Sequence, residues 1–192
     1  IFPGKQSILL DKWPTYQEDL VNEEIEESFD IMKDVVSISS AARMKGKLKR
    51  RWPLNEAQIC VKKGQKSKLE SLSELLQSQL NVEKFTITET EKESGLEQIL
   101  ELKQLGLPVK GVVELERKRI GPKAKQHMGK LVSTFNETNP DEIISSLEKN
   151  LKYDFDIDGE TISLNNEDFQ IDFDASENFA VAKRENYTVI IS

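Results

Sequence analysis

The chain has 192 residues, 37% apolar and 32% charged, with a formal net charge of −7; that length suits one sizeable domain or two small ones and is enough to bury a core. No run of about 18 apolar residues and no basic-then-apolar leader is present, which excludes a spanning helix and a recognisable signal peptide. One cysteine, Cys60, and one histidine, His127, exclude an internal disulfide and zinc sites of four cysteines or of two cysteines and two histidines.

Residues 1–20 read as irregular, with loop signals at Pro3-Gly4 and Trp13-Pro14. The first residue is Ile rather than Met and the chain stops one residue after Val189-Ile190-Ile191, as expected of a segment from inside a longer protein. Asn22 is positioned to cap a helix reaching about Met44, with Glu23, Glu24, Glu26 and Glu27 at the positive end of its dipole. Ile25, Phe29, Met32, Val36, Ser39 and Arg43 recur at helical spacing and predict a core-facing stripe, and Gly46 is expected to end the helix. At Trp52-Pro53 the character becomes α+β. Strands are predicted over 57–62, 82–90 and 109–120, and helices over 67–80, 94–105, 123–135 and 140–151, the last with Asn139 as cap and Pro140 in its first turn. The tail is β: Tyr153, Phe155 and Ile157 alternate with aspartates, Asp158-Gly159 marks a tight hairpin, 168–173 is a further strand, and 179–182 with 187–191 form a second hairpin across Arg184-Glu185-Asn186.

Catalytic motifs fail. Gly106 to Gly111 has the first spacing of a phosphate-binding loop, but Val112 stands where Lys is needed. Asp154, Asp156, Asp158 and Gly159 copy the start of a calcium loop, yet its twelfth position is Asn165, and the alternation favours a strand. His127 lies in a basic helix, as a polar surface residue or a phosphate neighbour, and Ser39-Ser40 has no base nearby in sequence. Cys60, in a mostly apolar stretch, reads as a small core residue. No catalytic or metal-binding residue is expected in this chain.

The acidic net charge argues against nucleic acid, but its distribution reverses that. Residues 43–68 carry ten bases and one acid, and residues 117–130 six bases and no acid; residues 19–34 carry seven acids and one Lys, and 154–178 nine acids and no base. Such segregation marks an interaction face. Six of the nine residues from Arg43 to Arg51 are cationic. One or two suffice to offset the negative end of the preceding helix, whereas six repel one another unless acids or a polyanion compensate them. Trp52 adds a flat ring, either a packing anchor or a surface for a base. If the exit is extended, Lys47, Lys49 and Arg51 share one face and Leu48 points inward.

On these residues the chain resembles the isoleucyl-tRNA synthetases of the archaeal and eukaryotic-like branch. The resemblance runs from Trp13-Pro14 through the acidic helix start Glu23-Glu24-Ile25-Glu26-Glu27 to Lys47-Leu48-Lys49-Arg50-Arg51-Trp52-Pro53-Leu54. It continues at Gly121-Pro122-Lys123, where the family has a turn opening a basic helix, and into the β region from Phe179 to Ile191. Two departures stand out: Lys12 where the family often has Asp, and Ala124 where an aromatic often follows. Valyl and leucyl synthetases share the bundle. The His-x-Gly-His and Lys-Met-Ser-Lys-Ser type motifs of that family's catalytic core are absent.

The resemblance implies an α+β chain: the end of a helical anticodon-binding bundle over 1–52, an α+β junction domain over 53–151, and a β-hairpin-rich tail over 152–192 packed on the junction. It implies a cytoplasmic, non-catalytic tRNA-holding fragment that recognises tRNA(Ile) on the anticodon side. Its neighbours are the catalytic and editing domains of the same polypeptide, with ATP and Mg used by the parent and no cofactor here. The expected tRNA contacts are Arg43, Lys45, Lys47, Lys49, Arg50, Arg51, Trp52, Arg117, Arg119, Lys123 and Lys125. The rival from another class is a protein-docking module using the acidic helix and tail; a third is a free-standing RNA-binding factor.

Overall fold

In a computed structural model, residues 15, 17–92, 94–185 and 187–192 are described; Pro3-Gly4, Lys12 and Trp13-Pro14 lie outside them, as does Asn186 of the second hairpin turn. The order is α1 (Glu23–Lys45), β1 (Leu54–Lys62), α2 (Lys66–Glu70), α3 (Ser73–Leu80), β2 (Val82–Thr90), α4 (Gly95–Gln104) and β3 (Val109–Leu115), then α5 (Arg117–Ala124), α6 (Met128–Glu137), α7 (Pro140–Asn150), β4 (Lys152–Ile157), β5 (Glu160–Asn165), β6 (Phe169–Ala175), β7 (Ala180–Arg184) and β8 (Tyr187–Ile191). This is the mixed α and β chain expected.

A four-stranded sheet in the order β2-β1-β8-β7 organises the molecule, with β1 parallel to β2 and antiparallel to β8. Successive strand residues point to opposite faces, and here the faces belong to two cores. Ala57, Ile59, Val61, Ala180, Ala182, Val189 and Ile191 join Ile31, Val35, Ile38 and Ala42 of α1 and Leu69, Leu76 and Leu80 of α2–α3. Cys60, Val181 and Ile190 face the second core, built from α4–α7, the β3–β6 pair and the β4–β5 hairpin. A sheet buried on both faces explains why Ile59, Cys60 and Val61 follow one another as buried residues in β1. The divisions expected after residues 52 and 151 fall between elements that share these cores, because β7 and β8 of the tail pair beside β1 and pack against α1.

Local chemistry accounts for the agreements. The Asn22 carboxamide accepts the Ile25 N–H at 3.1 Å and starts α1. Asn139 likewise caps α7 by accepting the Asp141 N–H at 3.0 Å, with Pro140 in the first turn. Asp158 and Gly159 have φ of 55° and 84°, the pair of left-handed values a tight primed hairpin turn requires. At Gly111 a Cβ would lie 2.1 Å from Ile144 Cδ1, so this glycine lets α7 close on β3.

Four expectations need correction. The predicted 67–80 helix is two helices; the Ser71 hydroxyl donates to the Lys68 carbonyl at 2.6 Å where the break begins, a local bond that competes with the ladder. The predicted 109–120 strand stops at Leu115, where the Glu116 N–H donates to the Asp168 carbonyl at 2.8 Å and helix α5 begins. Gly121-Pro122-Lys123 is therefore not a turn opening a helix but part of α5, with Pro122 inside it; the carbonyl Pro122 cannot bond, that of Lys118, belongs to an exposed residue that water reaches. The stripe of α1 is rotated over its first turns. Ile25 and Phe29 are 51% and 38% exposed, while Ser28, Ile31 and Val35 are buried with Met32, Ser39 and Arg43, because the sheet is reached from that side.

Candidate nucleic-acid interface

The cationic exit of α1 is a compact double turn. Lys47 adopts φ 55°, Leu48 N–H donates to the Arg43 carbonyl at 2.8 Å, and Lys47 N–H donates to the Met44 carbonyl at 3.2 Å. That is a Schellman ending with Lys, not Gly, in the left-handed position. Gly46 instead keeps φ −74°, and a Cβ there would lie 2.9 Å from the Ala180 Cβ, so its role is close approach to β7. A second turn follows, closed by Trp52 N–H to the Lys49 carbonyl at 3.0 Å. The extended exit with alternating cations is thus replaced by turns; Leu48 does point inward, packing on the α1 core.

Lys45, Lys47, Lys49, Arg50 and Arg51 are all exposed, and none has a carboxylate partner among the described residues. Trp52 is 46% exposed, and the Lys49 Nζ stands 5.0 Å from its ring centroid, within cation–π range. Arg43 is different. It is 4% exposed, and its guanidinium donates to four carbonyls: Trp52 at 2.9 Å, Lys49 at 3.3 Å, Leu80 at 2.7 Å and Asn81 at 3.0 Å. Both its terminal nitrogens are thus engaged by the fold itself, unlike the exposed cations that follow. Burial, and then the charge of Arg50, pull its pKa down. The helical stripe that put Arg43 on the inward side was the signal.

The second basic stretch is half neutralised by acids of the same chain. Arg119 pairs with Glu167, and Lys123 with the buried Asp168, which also accepts the Asn165 N–H at 2.8 Å. Lys130 holds both oxygens of Asp158 at 2.6 Å and keeps that carboxyl below its ordinary range. His127 lies between Asp158 and Glu160, 3.4 and 3.3 Å away, which sets it among acids rather than beside phosphate. Arg117 and Lys125 are exposed without a carboxylate partner among the described residues. The acidic tail thus supplies counter-charges to 117–130. The two basic stretches border different cores.

Sequence reasoning missed Lys110. It is exposed on β3 and lines, with Lys45, Gly46 and Ser176, a cleft of about 500 Å³. Only the tertiary structure brings it near the α1 exit, since it is a single cation in its strand and far from 43–51 in sequence. Cys60 is buried, and burial, then the Glu101 charge, push its thiol up to about 12. A thiol reagent at pH 8 is expected to leave the folded chain unlabelled and to label one thiol after denaturation. The unfolded thiol ionises near 9 and the folded one only near 12, so stability falls as pH rises between those values. Among the described residues no group of three or more His, Cys, Asp or Glu could hold a metal ion, and no helix is long and apolar enough to cross a membrane.

No family model matches the chain. It is 30% identical over 186 residues to an isoleucine–tRNA ligase of Bacteroides fragilis, covering 96% of this chain and 15% of that protein. An isoleucine–tRNA ligase of Sulfolobus acidocaldarius is 26% identical over 160 residues, 83% of this chain and 14% of that protein. A valine–tRNA ligase of Pyrococcus furiosus is 28% identical over 171 residues, 88% of this chain and 17% of that protein. The chain therefore spans about 15% of the length of the curated relatives it matches.

Proposed function

This chain is related to the aminoacyl-tRNA synthetases, and on that premise we propose that it holds tRNA for an isoleucine–tRNA ligase of the archaeal and eukaryotic-like branch. In this reading it belongs to the C-terminal, anticodon-side region of that cytoplasmic enzyme and positions tRNA(Ile). The catalytic and editing domains of the same polypeptide carry out the ATP- and Mg-dependent chemistry, and the chain alone has no aminoacylation activity. One observation supports it above the others: Lys45 at the end of α1 and Lys47, Lys49, Arg50 and Arg51 on the double turn after it are exposed, without a carboxylate partner among the described residues, beside the half-open ring of Trp52. A surface of that kind pairs with phosphates and gains from counterion release. The net charge of −7 does not oppose it, because charges beyond about 8 Å are largely screened at physiological salt.

The set of contacts is narrower than the sequence suggested. Lys45, Lys47, Lys49, Arg50, Arg51 and Trp52 form its centre, Arg117 and Lys125 are free to extend it, and Arg43, Arg119 and Lys123 serve the fold. Such contacts position the RNA and read little sequence. With four to six phosphates engaged, the logarithm of the association constant for tRNA falls against log salt with a slope of roughly 3 to 5. Filter binding at several salt concentrations measures it; no binding at low salt, or a flat dependence, refutes the reading. The valine–tRNA ligase match favours a second reading, the equivalent part of a valyl enzyme. Because phosphate contacts read little sequence, the amino acid charged by the full-length enzyme, rather than tRNA choice by this chain, separates the two.

A further inference from the structure

We infer that Arg43 and Asn81 are positioning residues that preform the 46–52 loop for an RNA backbone without touching it. The inference rests on the reading of that loop as an RNA contact.

Two separate pieces of the chain meet here. Arg43, near the end of α1, reaches across to the joint between α3 and β2, and its two terminal nitrogens draw in the carbonyls of Lys49 and Trp52 on one side and of Leu80 and Asn81 on the other. Asn81 completes the connection. Its backbone is left-handed, φ 52°, a conformation asparagine tolerates. Its carboxamide Nδ2 donates to the Arg50 carbonyl at 3.1 Å, and its own carbonyl accepts the Leu54 N–H at 3.1 Å as well as Arg43.

The carbonyls of Lys49, Arg50 and Trp52 are thereby turned toward protein donors. A carbonyl oxygen is the negative end of the peptide dipole and repels phosphate. The last carbonyls of α1, the negative end of that helix, are covered too: Ala42, Arg43 and Met44 accept from Gly46, Leu48 and Lys47. The side chains of Lys47, Lys49, Arg50 and Arg51 stay exposed on the outside of the turn. Lys47 also holds a left-handed backbone that glycine would adopt at less cost, and strained positions of this kind gather at binding sites. A loose loop with the same four cations would bind phosphates too, but it would lose the ordering entropy on each encounter.

The decisive variant is Asn81→Gly. Glycine keeps the left-handed backbone and the carbonyl, so only the Nδ2 donor to Arg50 is removed; Arg43→Lys strikes deeper and risks the fold. With bulk tRNA as the probe at about 0.1 M salt, Asn81→Gly is expected to weaken binding roughly three- to tenfold, the worth of one net hydrogen bond and its ordering. The salt slope stays that of the unaltered chain, and amide exchange speeds up over residues 50–52. Unaltered affinity despite faster exchange overturns the inference. So does weaker binding with unaltered exchange over residues 50–52, which would make the Asn81 amide itself a direct contact. The alanine variant of Lys47, Lys49 and Arg51 is measured alongside. If it loses tRNA while Asn81→Gly does not, only the positioning role fails; if it binds normally, the loop is not the RNA contact and both ideas fall.

Discussion

Replacing Lys47, Lys49 and Arg51 together with alanine is expected to weaken tRNA binding by roughly 10²-fold at ~0.15 M salt, with no change in melting temperature. Every phosphate that goes unneutralised takes about 0.9 off the slope of log K against log salt, so three take off nearly 3, and extrapolation to 1 M salt gives that factor. The stability half of the expectation follows from where these side chains are. All three are exposed and lack a carboxylate partner among the described residues, so their removal leaves no buried group unpaired. A role confined to offsetting the end of α1 has a different signature, a few tenths of a kcal/mol of stability per cation. Normal tRNA affinity with a lowered melting temperature would mean that the cations serve the fold.

Arg43→Met is expected to give the opposite pattern, a loss of about 3–5 kcal/mol in folding stability, because one buried and three part-buried carbonyls lose their donor, at about 1–3 kcal/mol for a buried group and less where water reaches. For a chain of this size that is a fall in melting temperature of roughly 10 °C or more. Methionine fills much of the stem's volume, so the missing hydrogen bonds rather than a cavity dominate. Of the four acceptors, the Leu80 bond is fully buried, and it stands at the C-terminal end of α3, where a cation is favoured. Thermal unfolding of the variant measures the effect. If Arg43 were a phosphate contact, the melting temperature would hold and the salt slope would drop by about one; that result would put the guanidinium outside.

Much was legible in the sequence alone. Asn22, Asn139 with Pro140, and Asp158-Gly159 set the start of α1, the start of α7 and the β4–β5 turn, because caps and tight turns are decided by bonds between residues a few positions apart. The cation density around 43–51 was legible for the same reason: six charges in nine residues must lie close together however the chain folds.

What the sequence could not decide were relations between distant segments. The final strand, Tyr187–Ile191, inserts between β1 and β7, and no local pattern states which edge it joins. The stripe of α1 was displaced because the sheet, not the helix's own period, chooses which residues are covered. Two cationic stretches looked alike in one dimension. Glu167, Asp168 and Asp158 fold back on Arg119, Lys123 and Lys130, while no described acid reaches Lys47, Lys49 or Arg51. Electrostatic pairing acts through space over a few ångströms. Tertiary structure alone could therefore show which cations are left for an anion, and that Arg43, at the head of the basic run, had turned inward to Leu80 and Asn81.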